Sequence, residues 1–210
     1  MKKFLLCSVL LALVVASSAS VEDFYNRWKS AYYHTGCCDN CGYVQYQGIS
    51  QMTTVSEAIG YGMLFSAALG DQNTFDSLYR YYTHFPSDIS GTLMSWKQTD
   101  CHNVEGGGAA SDADLDAAFG LVLAAERWSS GGFDYRGEAY KMLNAIKQWE
   151  RAPQGYMWLG NWGNNDQYRE VTRSTDFSPM HFRKFAEFTG DDSWWVALNW
   201  GYDNFAKFQN

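Results

Sequence analysis

Hydrophobic positions along this chain recur at helical spacing, and no stretch shows the strict alternation of a half-buried strand. Phe24, Trp28, Ala31 and Tyr32 share one face of a first helix, and Phe75, Leu78, Tyr79 and Tyr82 one face of another. Ala139, Met142, Leu143, Ile146 and Trp149 follow at intervals of three, one, three and three, a stripe that faces a core. Segments 57–69 and 112–128 are almost wholly apolar after their first turn, the pattern of buried helices. Gly70, "SSGG" at 129–132 and Gly190 stand where helices should stop. About seven helices fit between Phe24 and Phe205 as hairpins, an order that predicts an all-α array or toroid. Their long connections, 35–50, 85–111 and 151–176, hold much of the Gly, Asn and Trp and are the expected seat of function. The last stretch, "DDSWWVALNWGYDNFAKFQN", reads as a helix whose Trp194, Leu198 and Phe205 still need partners, so the chain is expected to stop before its fold does.

The first residues, "MKKFLLCSVLLALVVASSAS", combine Lys2 and Lys3, an apolar run from Phe4 to Ala16 and small residues at 16–20. This is the pattern of a secretory signal peptide, too short for a comfortable membrane span. It predicts export, a mature domain over 21–210 and no membrane association once the leader is removed. Roughly 190 residues suit one domain. Without Lys2 and Lys3 the 16 basic residues become 14 against 23 acidic ones, a net charge of about −9, which repels nucleic acid and anionic membranes.

Cys7 lies in the leader, leaving Cys37, Cys38, Cys41 and Cys101, for which three pairings exist. A thiolate zinc site is the alternative, but such sites usually show two separated Cys-x-x-Cys pairs, and an oxidising compartment favours disulfides. A bridge from the 37–41 cluster to Cys101 would tie the N-terminal loop to the loop before Ser111. Aromatic residues make up 17% of the chain, with 9 Trp and 14 Tyr. They serve either a densely packed core or stacking platforms for flat-faced ligands such as sugar rings.

Carboxylates carry the candidate chemistry. Thr54-x-x-Glu57 and Ser111-x-x-Asp114 both fit a capping box, with the hydroxyl taking a free backbone N–H and the acid reaching back to another. Asp112, Asp114 and Asp116 imitate the opening of a calcium loop, but Ala117 stands where the glycine should be and Leu123 where the bidentate glutamate should be. Helical spacing turns Asp114 away from Asp112 and brings Asp116 onto its face. Paired-carboxylate chemistry remains: cleaving an acetal between sugars needs one acid to protonate the leaving oxygen and a second carboxylate to attack or to activate water. Glu57 and Asp112 both open buried helices, and if those helices run parallel the two acids share a rim. His34, His84, His102 and His181 show no metal-ligand spacing, and no nucleophile elbow, P-loop or dinucleotide fingerprint appears. "EGGGAAS" at 105–111 suits a phosphate cradle poorly, because Asp112, Asp114 and Asp116 would repel the anion. Close backbone approach is its expected role.

"VSEAIGYGMLFSAAL", "FDSLYRYY", "GTLMSWK", "GAASDADLDAAFGLVLAAERW" and "TRSTDFSPMHFRKFAEFTGDDSWW" occur in the order and spacing of glycoside hydrolase family 8, and the chain resembles that family from about Val55 to Trp195. The resemblance implies an (α/α)6 toroid, here apparently incomplete at about seven of twelve helices. It also implies inverting hydrolysis of internal β-1,4 bonds in a polysaccharide, cellulose or another β-glucan foremost, without metal or organic cofactor. It makes Glu57 the general acid and Asp112 the residue that holds the sugar at the cleavage point. Trp96 and Trp162 become stacking residues of the cleft, and Tyr61, near the acid, is a further substrate-binding candidate or a structural residue. Arg173 and Asp176, in "TRSTDF", are placed in the cleft, Asp176 being the one remaining candidate for the base.

Ala58 stands where the family usually has glycine, a change a helix tolerates. The family's base comes from beyond the point where this chain ends, so a truncated enzyme, inactive or feeble alone, is expected. Chitosanase, lichenase or xylanase activity is the nearest alternative. A carbohydrate-binding protein that no longer cleaves, and a purely structural helical protein, are the readings from other classes.

Overall fold

A computed structural model describes residues 20–45, 54–205 and 207. The leader-like segment, Cys7 included, lies outside the described residues up to position 19. Residues up to Tyr33 form one unit and those from His34 onward a second. The described residues of the first unit form the helix α1 (Val21–Tyr32), opened by a capping box between Ser20 and Asp23. Phe24, expected on its apolar face, is 62% exposed, and Arg27 lies over its ring.

Among the described residues the second unit carries six α-helices: α2 (Ser56–Leu69), α3 (Gln72–His84), α4 (Ser111–Arg127), α5 (Tyr135–Trp149), α6 (Pro179–Thr189) and α7 (Ser193–Phe205). They pack as the hairpins α2/α3, α4/α5 and α6/α7, and α4 also packs against α2 and α6. Thus α2, α4 and α6 form one row, flanked by α3, α5 and α7. The predicted stripes are buried: Phe75, Leu78, Tyr79 and Tyr82 on α3, and Ala139, Met142, Leu143 and Ile146 on α5. Trp149 is only half-buried, and the stripe is completed four residues after Ile146 by Glu150, which is fully buried. Gly70 and Gly190 close α2 and α6 in the left-handed conformation, as their positions predicted. Among the described residues no helix is long and apolar enough to cross a membrane.

Glycine sets the spacing of α2 and α4. A β-carbon on Gly60 would stand 2.7 Å from the carbonyl oxygen of Ala113, and one on Gly120 would stand 3.1 Å from the backbone of Met63 and Leu64. Since 60 faces 113 and 63–64 face 120, the two helices run parallel. Gly60→Ala should therefore lower stability by about 1–3 kcal/mol in urea unfolding, overpacking outweighing the better helix propensity of alanine. An unchanged midpoint would mean that the helix pair is looser than described.

Three further points differ from the sequence reading. Short strands do occur: Thr54–Val55, Lys97–Gln98 and Val104–Gly106 form an antiparallel sheet, with Thr54 opposite Gln98 and Lys97 opposite Gly106. At two or three residues each, they are too short to show alternation. Neither expected capping box forms. The cap positions are Val55 and Ala110, without side-chain caps, and the Thr54 hydroxyl donates to the Val44 carbonyl at 2.5 Å. Last, the partners that the final helix was expected to lack are present: Trp194 is fully buried against Phe182 and Phe185, Leu198 is buried, and Phe205 meets Phe177 and Trp200. Disulfides Cys37–Cys101 and Cys38–Cys41 join the cysteines, the first being the expected tie.

Candidate active site

The parallel helices α2 and α4 bring their first turns to one rim, where the first N–H of each helix donates to a loop carbonyl. Ser56 N–H donates to the Trp96 carbonyl at 2.9 Å, and Ser111 N–H donates to the Leu159 carbonyl at 3.3 Å. Each helix start is thereby pinned to a long loop, and Glu57 and Asp112, second residues of their helices, stand at the rim, Asp112 Oδ1 accepting the Ala113 N–H at 3.1 Å and Glu57 Oε2 accepting from Ser56 Oγ at 3.4 Å.

A cleft of about 300 Å3 opens there, lined by Glu57, Trp96, Ala110, Leu159, Trp162 and Arg173. Burial, reinforced by the charge of Asp112, raises the Glu57 carboxyl above its ordinary value. Arg173 crosses the back of the cleft, 3.3 Å from Asp112 Oδ1, and donates to both carboxylate oxygens of Asp176 at 3.0 Å each. Asp176 is 1% exposed, and burial pushes its carboxyl up to about 6 even against the Arg173 guanidinium. A bidentate pair of this kind fixes both partners.

Glycines admit the tryptophans, as the "EGGG" run suggested. A β-carbon on Gly106 would overlap the Trp96 indole, and one on Gly108 would stand 2.6 Å from Trp162 Cδ1. Trp96 is 39% exposed, and Trp162 is braced edge-on by Tyr168 with ring centres 5.2 Å apart. Asn161, which sequence reasoning missed, joins the loops: its Oδ1 accepts from Ala109 N–H at 2.9 Å and its Nδ2 donates to Ser87 Oγ at 2.7 Å. Nothing local marks that role, since its partners lie 52 and 74 residues away.

Of the predicted site residues, Glu57, Trp96, Trp162 and Arg173 line the cleft, with Asp112 and Asp176 on Arg173. Tyr61 does not line it. It stands one turn further along α2, 50% exposed and stacked on Phe65. On α4, Asp116 pairs instead with His181, Oδ1 to Nε2 at 2.7 Å. A larger open depression of about 680 Å3 lies under the Cys38–Cys41 turn, but no aromatic residue lines it, and Asp76 there already accepts from Tyr135 and Gly132.

Residues 2–208 match the family model described as Glycosyl hydrolases family 8. The chain belongs to glycoside hydrolase family 8. Similar family 8 relatives include a beta-glucanase of Niallia circulans, 38% identical over 187 residues, which cover 85% of this chain and 45% of that protein. Another is endoglucanase C of Ruminiclostridium cellulolyticum, 37% identical over 196 residues, covering 90% of this chain and 41% of the relative. The apo structure of a beta-1,3-1,4-glucanase from Paenibacillus sp. X4 superimposes with a TM-score of 0.80 at 37% identity, over 85% of this chain and 49% of that one. The chain thus spans less than half the length of these relatives. Its rows of helices correspond to part of the family 8 (α/α)6 toroid.

Proposed function

We propose that this family 8 chain carries the proton-donating side of a site that hydrolyses internal β-1,4 bonds in a secreted β-glucanase. One observation supports this most: a carboxyl held toward its protonated form, Glu57, opens into a cleft flanked by two tryptophans and backed by the Asp112–Arg173–Asp176 chain. Sugar rings stack on indole faces, and a general acid works best with its pKa brought toward the operating pH. In this reading Glu57 protonates the leaving glycosidic oxygen and Asp112 accepts hydrogen bonds from the ring at the cleavage point. Asp176 serves to aim Arg173, since both its oxygens are occupied by that guanidinium; we assign it no part in activating water. Proton transfer between carboxyl and water needs no cofactor. The disulfides and the leader-like segment support export.

Titration with cello-oligosaccharides, followed by tryptophan fluorescence, tests the cleft. Trp96→Ala and Trp162→Ala should each weaken binding by about 5-fold or more, losing roughly 1 kcal/mol of aromatic contact. Affinity indifferent to both changes would remove the sugar cleft from this rim. Binding without release of reducing ends would favour the reading of a protein that holds glycan without cleaving it.

A further inference from the structure

Beneath the rim lies a set of groups that the proposed chemistry does not use. Tyr82 from the last turn of α3, Asp114 from the first turn of α4 and Glu150 from the end of α5 converge there, all buried. The Tyr82 hydroxyl donates to Asp114 Oδ1. Asp114 Oδ2 and both oxygens of Glu150 meet no donor among the described residues. Two ionised carboxylates in that position would repel each other with three acceptors left without donors, a costly arrangement in a low-dielectric interior. Each carboxyl acts electrostatically on the other, so a single proton on one of them turns repulsion into attraction.

We propose that Glu150 carries a proton at neutral pH and donates it to Asp114, and that this acid pair is the clasp holding the first turn of α4 against the segment that follows α5. What the clasp joins gives it consequence. Asp114 is two residues from Asp112, and Glu150 opens the segment leading to Leu159, Asn161 and Trp162. Trp158 N–H donates back to the Glu150 carbonyl at 2.7 Å, and the Leu159 carbonyl receives the first N–H of α4. Asp114 and Glu150 are therefore positioning residues for Asp112 and Trp162; that last step rests on the glycanase reading, whereas the shared proton does not.

Burial raises both carboxyls, and the charges of Asp112 and Asp176 act on Glu150 in the same sense. Tyr82 holds its own proton firmly, pushed well above its ordinary value by burial and then by Asp114. With a folded-state pKa above the unfolded one, the native chain binds more protons than the unfolded chain above about pH 4, so this pair contributes a stability that falls as pH rises.

The test compares the whole chain with Glu150→Gln, Asp114→Asn and Glu150→Leu. Infrared difference spectra at pH 7 should show the carbonyl stretch of a protonated carboxylic acid in the parent, lost in Glu150→Gln and retained, shifted, in Asp114→Asn. The pH dependence of unfolding should be shallower in Glu150→Gln by about one proton. Glu150→Gln should fold and bind cello-oligosaccharide like the parent, and keep that affinity at alkaline pH where the parent loses it. Glu150→Leu should melt earlier, with affinity for sugar lost ahead of the fold. A parent spectrum without the acid band, or Glu150→Gln keeping it, would overturn the shared proton. The band behaving as stated while Glu150→Leu binds sugar normally would overturn the positioning role. Absence of sugar binding in every form would instead count against the glycanase reading, leaving the spectroscopic result standing.

Discussion

In a chain joined to the base-bearing remainder of a family 8 domain, Glu57→Gln is expected to bind cello-oligosaccharide as the parent does and to release reducing ends from carboxymethyl cellulose about 10²–10⁴-fold more slowly. Glutamine keeps the shape of the side chain and its place at the start of α2 but has no acidic proton to give. The loss should depend on the leaving group. A dinitrophenyl cellobioside, whose phenolate departs without protonation, should be cleaved by Glu57→Gln nearly as fast as by the parent. A second readout needs no turnover. Burial raises the Glu57 carboxyl, so its ionisation costs stability as pH rises through and above the ordinary carboxylate range, and glutamine is free of that cost. Glu57→Gln should thus melt higher than the parent at pH 7, with the gap closing toward pH 4. Equal loss on both substrates would place Glu57 in binding or folding rather than proton donation, and turnover indifferent to the change would remove it from the chemistry.

The largest effect on stability is expected at the other end of the chain. Trp194→Ala should cost about 3–5 kcal/mol in urea unfolding, the usual penalty for emptying a large aromatic site. Its indole is fully buried, stacked with Phe182 at 6.1 Å between ring centres and meeting Phe185 edge-on at 5.0 Å, with Arg151 over its face. Trp194→Phe should cost less than half as much, because the indole N–H has no acceptor among the described residues and its removal forfeits no hydrogen bond. A loss below about 1 kcal/mol for Trp194→Ala would mean that α7 is not docked on α6 in solution.

Much of the helical frame was legible because burial writes itself into spacing. The stripes of α3 and α5 and the all-round apolarity of α2 and α4 state which sides face inward. The last helix was misjudged for the same reason, since periodicity shows that Trp194 needs a partner without showing that Phe182 and Phe185, a few residues earlier, supply it. The capping boxes failed because the Thr54 hydroxyl is taken up by the Val44 carbonyl and the Ser111 N–H by the Leu159 carbonyl, and local pattern cannot see either distant partner arriving. Glu57 and Asp112 stood out as acids at helix starts, but grouping them with Trp96, Trp162, Arg173 and Asp176 required the motif order of the family. Glu150 carried a usable signal, falling four residues after Ile146 on a buried stripe. A charged residue there reads as the end of the stripe unless a second buried acid is already known to wait for it.

The two carbonyls that cap α2 and α4 also divide each long loop into a fixed part and a variable part. Trp96 and Leu159 are tethered at the helix starts and Cys101 is tied to Cys37, whereas the turns at 89–92 and 164–167 lie outside those tethers. Lengthening those outer turns costs little closure entropy and leaves the anchored hydrogen bonds alone. Under the proposed glycanase reading, the fold can thus reshape the walls that would meet distant parts of a polysaccharide while the separation of Glu57 from Trp96 and Trp162 stays constant, so that substrate range and catalytic geometry could change independently.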